Sequence, residues 1–330
     1  MGLGGSHREN MAKTDCGVGD VRRQLRLARR IVIKAGTPVL THVDGNIALG
    51  RIGALVEQIA QLRNEGRDVI LVTSGAISNG THRMRRSMTL SQSIQDSVGR
   101  QPPAVRQEAA AAVGQSLLMS MYENLFSKYN MSCAQVLITE DDLKDTETLA
   151  QVCDATLELL GLGLVPIVND NDAVTSRTTS VFSSATNEVQ WDNDILAARL
   201  AISLRADLLL VLTDMDALYI TVPEASATDS AAQVERLPLY REGVTIARTG
   251  MHVDQLLGDG GRAEFAGRTR MSAGCMDELV GATCSAVAGG VRAAVVTTGH
   301  HPLSITRVLR GDDVGTLFVP PSMGMVSSKL

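Results

Sequence analysis

The sequence predicts an α/β fold: helices on both faces of an open, mostly parallel β-sheet. Three observations carry that prediction. Short apolar strands alternate with helical stretches along most of the 330 residues. A strand, a helix and a further strand in succession form a right-handed parallel crossover, which leaves the sheet covered on both faces. The residues with chemical character stand just after strands, where open parallel sheets bind ligands.

The elements follow in chain order. RIVIK is the first strand, ended by Gly36, Thr37 and Pro38. In the next stretch Leu49, Ile52, Leu55, Val56, Ile59 and Leu62 mark one face of a helix, and Gly66 ends it. DVILVTSGA is the second strand, and EAAAAVGQSLLMSMYENLFSKY a long helix before the strand CAQVLI. TLAQVCDATLELLGLG, a helix, precedes the strand LVPIV. DILAARLAISLR, another helix, precedes the strand DLLLVLT. RAAVVTT and GTLFV complete the sheet. Two stretches, roughly 81–107 and 221–265, read as irregular insertions, each either a lid or a surface connection.

Composition narrows the function. A net charge of −5 and 3% aromatic residues argue against nucleic acid as a partner. The five cysteines are widely spaced and form no CxxC, which predicts a reduced protein without structural zinc. No apolar run approaches a membrane span, and no secretory signal opens the chain. Residues 1–28 begin with a weak myristoylation pattern and continue with the basic VRRQLRLARR. They are expected to form a disordered extension.

The residues after the strands are Lys34-Ala35-Gly36-Thr37, Thr73-Ser74-Gly75-Ala76, NDNDAV (169–174) and Thr213-Asp214, with WDNDILAARLA opening a helix. Each has a plain reading alone: a solvated lysine, a turn, a helix cap. Together they bring one lysine, several carboxylates and glycine-softened backbone to one sheet edge. That combination suits phosphate and a small zwitterion. Neither a P-loop nor a GxGxxG motif is present.

These segments, with LSQS and GDDVGTLF, resemble the amino acid kinase family over roughly residues 29–319. Within it they are most similar to glutamate 5-kinases and to the kinase half of Δ1-pyrroline-5-carboxylate synthases. The resemblance implies a three-layer αβα sandwich, with an N-terminal glutamate lobe, a C-terminal ATP lobe and a tail at 320–330. It implies ATP-dependent phosphorylation of the L-glutamate γ-carboxylate, the first step of proline biosynthesis, with ATP and Mg²⁺. Lys34 would bind the transferring phosphoryl group and Asp194 would organise catalysis. Ser74, Gly75, Ala76, Asp172 and Asn193 would hold glutamate. Lys34, Gly36, Thr37, Thr213, Asp214 and Gly274 would border ATP, and no protein metal ligand is expected.

One motif departs from that pattern. The family's second phosphate clamp, of the form G-x-G-G-M-x-x-K, is SAGCMDEL here, residues 272–279. Gly274 and Met276 remain, while Leu279 stands at the lysine position. Removing one preorganised charge costs roughly 10²–10³ in rate. Arg268 or Arg270 could restore it, or the chain could be a catalytically impaired, glutamate-binding or regulatory paralogue. The chain ends soon after VGTLF, so a glutamyl phosphate reductase is expected as a separate partner. The resemblance also implies a homo-oligomer. The cytoplasm is the expected location, with mitochondria the alternative suggested by the basic N-terminus.

Overall fold

The computed structural model describes residues 21–91, 105–175, 192–222, 233–237, 239–240 and 273–320. Its main sheet has eight strands in the order β3-β4-β2-β1-β5-β9-β10-β8. These are β1 (Arg30–Ala35), β2 (Asp68–Thr73), β3 (Cys133–Ile138), β4 (Val165–Asp170), β5 (Leu208–Thr213), β8 (Leu239–Tyr240), β9 (Ala293–Thr298) and β10 (Thr316–Phe318). Strands β3 to β9 along that order are all parallel, and β10 runs antiparallel to β9. All seven sequence-predicted strands appear. The two-residue β8 and β7 (Gln233–Leu237) lie in the stretch expected to be irregular, and β7 pairs antiparallel with β6 (Leu218–Val222), which leads into it. The rest of 221–265 lies outside the described residues.

Strand alternation divides the core into two layers. Ile31, Ile33 and Ala35 of β1 face a layer built with the helices Leu49–Asn64, Gln107–Phe126 and Ser304–Arg310. Val32 faces the other, built with the helices Asn193–Ser203 and Ala273–Ala288 and flanked by Thr146–Gly161. The sheet is therefore an open αβα sandwich. Gly66 terminates the Leu49–Asn64 helix in the left-handed region, φ 78°.

Two expectations are corrected. The first concerns residues 21–28, which fold onto the domain rather than forming part of a disordered extension. Val21, Leu25 and Ala28 are buried there. Arg22 is 2% exposed and donates to the carbonyls of Val314 at 2.7 Å and Gly315 at 3.1 Å, beside Asp313 at 3.3 Å. A basic run reads as solvated until such acceptors appear in three dimensions. The second correction is at 81–107, where a helix spans Ala76–Ser91 and the next begins at Gln107; residues 92–104 lie outside the described residues. The Ala76–Ser91 helix packs through Gly80 against Ala110 and Gly114 of the neighbouring helix rather than through a stripe of large apolar residues. Its polar sequence therefore hides it from a periodicity argument.

Candidate active site

The two-residue period of a strand positions the site. Val32, Val72 and Val211 point into the layer beneath the Asn193–Ser203 helix. Lys34, Ser74 and Thr213 follow two residues later, at the C-terminal edge of the same face. Lys34 Nζ donates to Asp194 Oδ2 at 2.7 Å. The two residues are 6% and 3% exposed, so this is a buried ion pair.

The DND sequence opening that helix divides three tasks. Asp192 is the N-cap, and its Oδ1 accepts from Asp194 N at 2.8 Å and Ile195 N at 3.1 Å. Asn193 reaches sideways: its Nδ2 donates to Ser74 Oγ and to Asn169 Oδ1, each at 3.1 Å. Its Oδ1 accepts from Asp170 N at 3.3 Å. Asp194 points inward to Lys34. Burial raises the Asp192 carboxyl from its ordinary value to about 6; the Asp194 carboxylate adds to the rise and the Lys34 ammonium opposes it.

A chain of side-chain amides supports this edge from the other face of the sheet. Asn169 Nδ2 donates to Gln115 Oε1 at 2.9 Å, and Gln115 Nε2 donates to Gln135 Oε1 at 3.2 Å. Beside it lies a cavity of 540 Å³, whose lining includes Ala76, Gln115, Gln135, Asp170, Asn171 and Asp172. That volume suits a small polar molecule. Gly75 turns the chain from β2 into the Ala76–Ser91 helix with φ 95°, a conformation side-chain-bearing residues avoid.

The residues expected around the nucleotide meet on neighbouring strand ends. Gly36 N donates to Leu212 O at 3.1 Å, and Gly299 N donates to Thr213 O at 2.7 Å. Thr213 Oγ1 donates to Asp214 Oδ1 at 3.1 Å. Gly36 caps a short helix, Thr37–Leu40, with Pro38 in its first turn, where a missing N–H costs nothing. A Cβ at Gly36 would sit 3.5 Å from Lys34 Nζ, so glycine leaves space over the ammonium.

Gly274 stands in the first turn of the Ala273–Ala288 helix, apart from these strand ends in sequence. Leu279 of the same helix is fully buried in the apolar layer with Leu196, Leu200, Val211 and Val296. A lysine at that position would face the core rather than a phosphate. The leucine is thus accommodated by packing. Arg268 and Arg270 lie outside the described residues.

The structure therefore joins Lys34, Asp194, Asn193 and Ser74 by direct bonds, with Gly75 and Ala76 adjoining Ser74, and Ala76 and Asp172 lining one cavity. Sequence reasoning singled out the segments holding Asp192 and Asn169 without giving either a role, and it missed Gln115 and Gln135. Asp192 was legible as a cap; the two glutamines sit in largely apolar stretches, a signal that surface positions also give.

The amino acid kinase family model matches residues 29–254. The chain belongs to the amino acid kinase family. It is 37% identical over 299 residues to a glutamate 5-kinase of Symbiobacterium thermophilum, covering 90% of this chain and 98% of that protein. It is 36% identical over 301 residues to the Δ1-pyrroline-5-carboxylate synthase of Solanum lycopersicum, covering 91% of this chain and 39% of that protein. The chain thus spans well under half the length of the synthases it matches. In fold it is similar to a carbamate kinase from Giardia lamblia bound to AMP-PNP, with a TM-score of 0.55 at 14% identity, covering 89% of this chain and 99% of that one.

Proposed function

We propose that the chain transfers the γ-phosphoryl group of ATP to the γ-carboxylate of L-glutamate, forming glutamyl 5-phosphate for proline biosynthesis. The observation that carries this reading is the buried Lys34–Asp194 pair at the edge where Asn193 also holds Ser74. The near full-length likeness to a glutamate 5-kinase supports the choice of acceptor.

The chemistry follows from charge. A carboxylate oxygen attacks the γ-phosphorus, and the bond from phosphorus to the bridging oxygen of ADP breaks. The protein's task is positioning and charge stabilisation. Lys34 supplies a fixed ammonium, held by Asp194 against rotation into solvent. Ser74 and the N-terminus of the Ala76–Ser91 helix face the acceptor's α-carboxylate, and Asp172 its ammonium. Gly36, Thr37, Thr213, Asp214 and Gly274 border ATP. Among the described residues no group of three or more His, Cys, Asp or Glu could hold a metal ion. Mg²⁺, which usually keeps several waters and binds through substrate phosphates, would be held mostly by ATP oxygens and water and would supply further neutralisation of phosphate charge.

The acyl phosphate product is a labile mixed anhydride. We therefore read a glutamyl phosphate reductase as its consumer and partner; pull-down and channelling assays without association would remove that part. No described helix is long and apolar enough to cross a membrane. The cytoplasm is proposed as the compartment on the resemblance alone.

The test is glutamate-dependent ATP turnover with Mg²⁺, trapping the product as its hydroxamate. Turnover that disappears in Lys34→Ala is the expected result. Turnover independent of glutamate, or unchanged in that variant, would overturn the reading.

A further inference from the structure

We infer that Asn79 is a further substrate-positioning residue, its Nδ2–H donating to the α-carboxylate of the amino-acid acceptor. This rests on the reading above that the acceptor is an amino acid. Asn79 lies in the first turn of the Ala76–Ser91 helix and is 4% exposed. Among the described residues, neither its Nδ2 nor its Oδ1 has a hydrogen-bond partner. Its neighbours at this edge are paired: Ser74 with Asn193, and Asn169 with Gln115. A buried amide with both ends unpaired is rare and costly, and such a group calls for an explanation.

The position supplies one. Helical side chains lean toward the helix N-terminus. Asn79 Nδ2 accordingly lies 3.4 Å from where a Cβ on Gly75 would be, over the turn between Ser74 and Ala76. The first intrahelical bond is donated by Asn79 N to Gly75 O. The N–H groups before it therefore point out of the helix end, where an anion is favoured. The Asn79 amide adds a side-chain donor to that end. The helix cannot rotate to release Asn79 to solvent, because Gly80 is locked against the backbone of Ala110 and Gly114. Both amide atoms are shielded from solvent, so the inferred contact requires the Gly75 turn to shift as the carboxylate binds.

A group kept for a ligand at the expense of the fold has a signature with two signs. Asn79→Leu has nearly the same shape and no polar atoms. It should raise the thermal midpoint of the full chain by about 2–4 °C, because two unpaired polar atoms leave the core. The same change should raise KM for glutamate about tenfold or more, the effect of losing a hydrogen bond to a charged group, with KM for ATP unchanged. Asn79→Ala, which fits without a clash, should show the same rise in KM for glutamate. A fall in midpoint for Asn79→Leu would overturn the inference and make Asn79 a structural residue. An unchanged KM for glutamate in both variants would also overturn it. Wild-type chain that neither turns over nor gains thermal stability with glutamate would instead show that the acceptor reading has failed, and this inference with it.

Discussion

Lys34 Nζ and Asp194 Oδ2, 160 residues apart in sequence, meet at 2.7 Å inside the protein. Breaking such a buried pair from one side costs more than the pair itself contributes, since it strands a charge. Lys34→Met should destabilise the chain by about 3–5 kcal/mol. The double variant Lys34→Met/Asp194→Leu should recover a large part of that loss while remaining inactive. Urea unfolding of the four species of the cycle checks it; equal losses in the single and double variants would argue against a coupled pair.

Asp192 should give the fold a distinctive pH dependence. Its native carboxyl titrates at about 6, above the unfolded value of 3.8. The native state then holds this proton more tightly than the unfolded chain. The resulting penalty is absent below pH 3.8, grows through pH 3.8–6 and is complete above pH 6. Asp192→Asn keeps a good N-cap and removes the titration. Its stability advantage over wild type should be larger at pH 8 than at pH 5, by on the order of 1 kcal/mol. Denaturant midpoints at the two pH values measure this, and an advantage that shrinks with pH would contradict it.

Glycine is required where two helices touch. A Cβ at Gly80 would lie 1.8 Å from Ala110 O, and one at Gly114 would lie 1.7 Å from Ala76 O. Gly80→Ala or Gly114→Ala should each cost about 1–3 kcal/mol or more, and push the Gly75 turn out of place. Gly53, mid-helix with open space around it, is the control: Gly53→Ala should gain about 0.5–1 kcal/mol. Circular-dichroism melts of the three variants would reveal whether these signs differ.

Leu279→Lys tests the packing account of the clamp position. Its side chain belongs to the core layer, so a lysine there must bury its ammonium or unfold the helix. Loss of soluble folded protein is expected, by size-exclusion chromatography and melting. A folded variant with faster ATP turnover would show that this position faces the phosphates after all.

Arg22 should matter far from the active site. Its guanidinium bonds the carbonyls of Val314 and Gly315 and is almost entirely buried. Arg22→Ala should cost about 2–4 kcal/mol of unfolding free energy, by leaving those carbonyls unpaired. An unchanged urea midpoint would place residues 21–28 outside the cooperative fold.

Much of this architecture is legible in one dimension. Seven strands and four long helices announce themselves because apolar periodicity is a local property of the chain. The glycine, threonine and proline after β1 likewise mark a strand turning into a helix cap. The Ala76–Ser91 helix is not legible, since its packing surface is a glycine and its partner a distant glycine. Nor is the order of residues 21–28, which depends on carbonyls almost three hundred residues away.

The sequence by itself determined which residues could do chemistry, Lys34, Ser74, Asn193 and Asp194 among them, because strand ends and motif spacing are written along the chain. Only the tertiary structure decided what each one meets: Asp194 rather than solvent for Lys34, the apolar core for Leu279, and no partner among the described residues for the Asn79 amide. The physical reason is that charge and hydrogen-bonding capacity belong to a residue. Desolvation and pairing belong to its surroundings, and those exist only once distant strands and helices have packed.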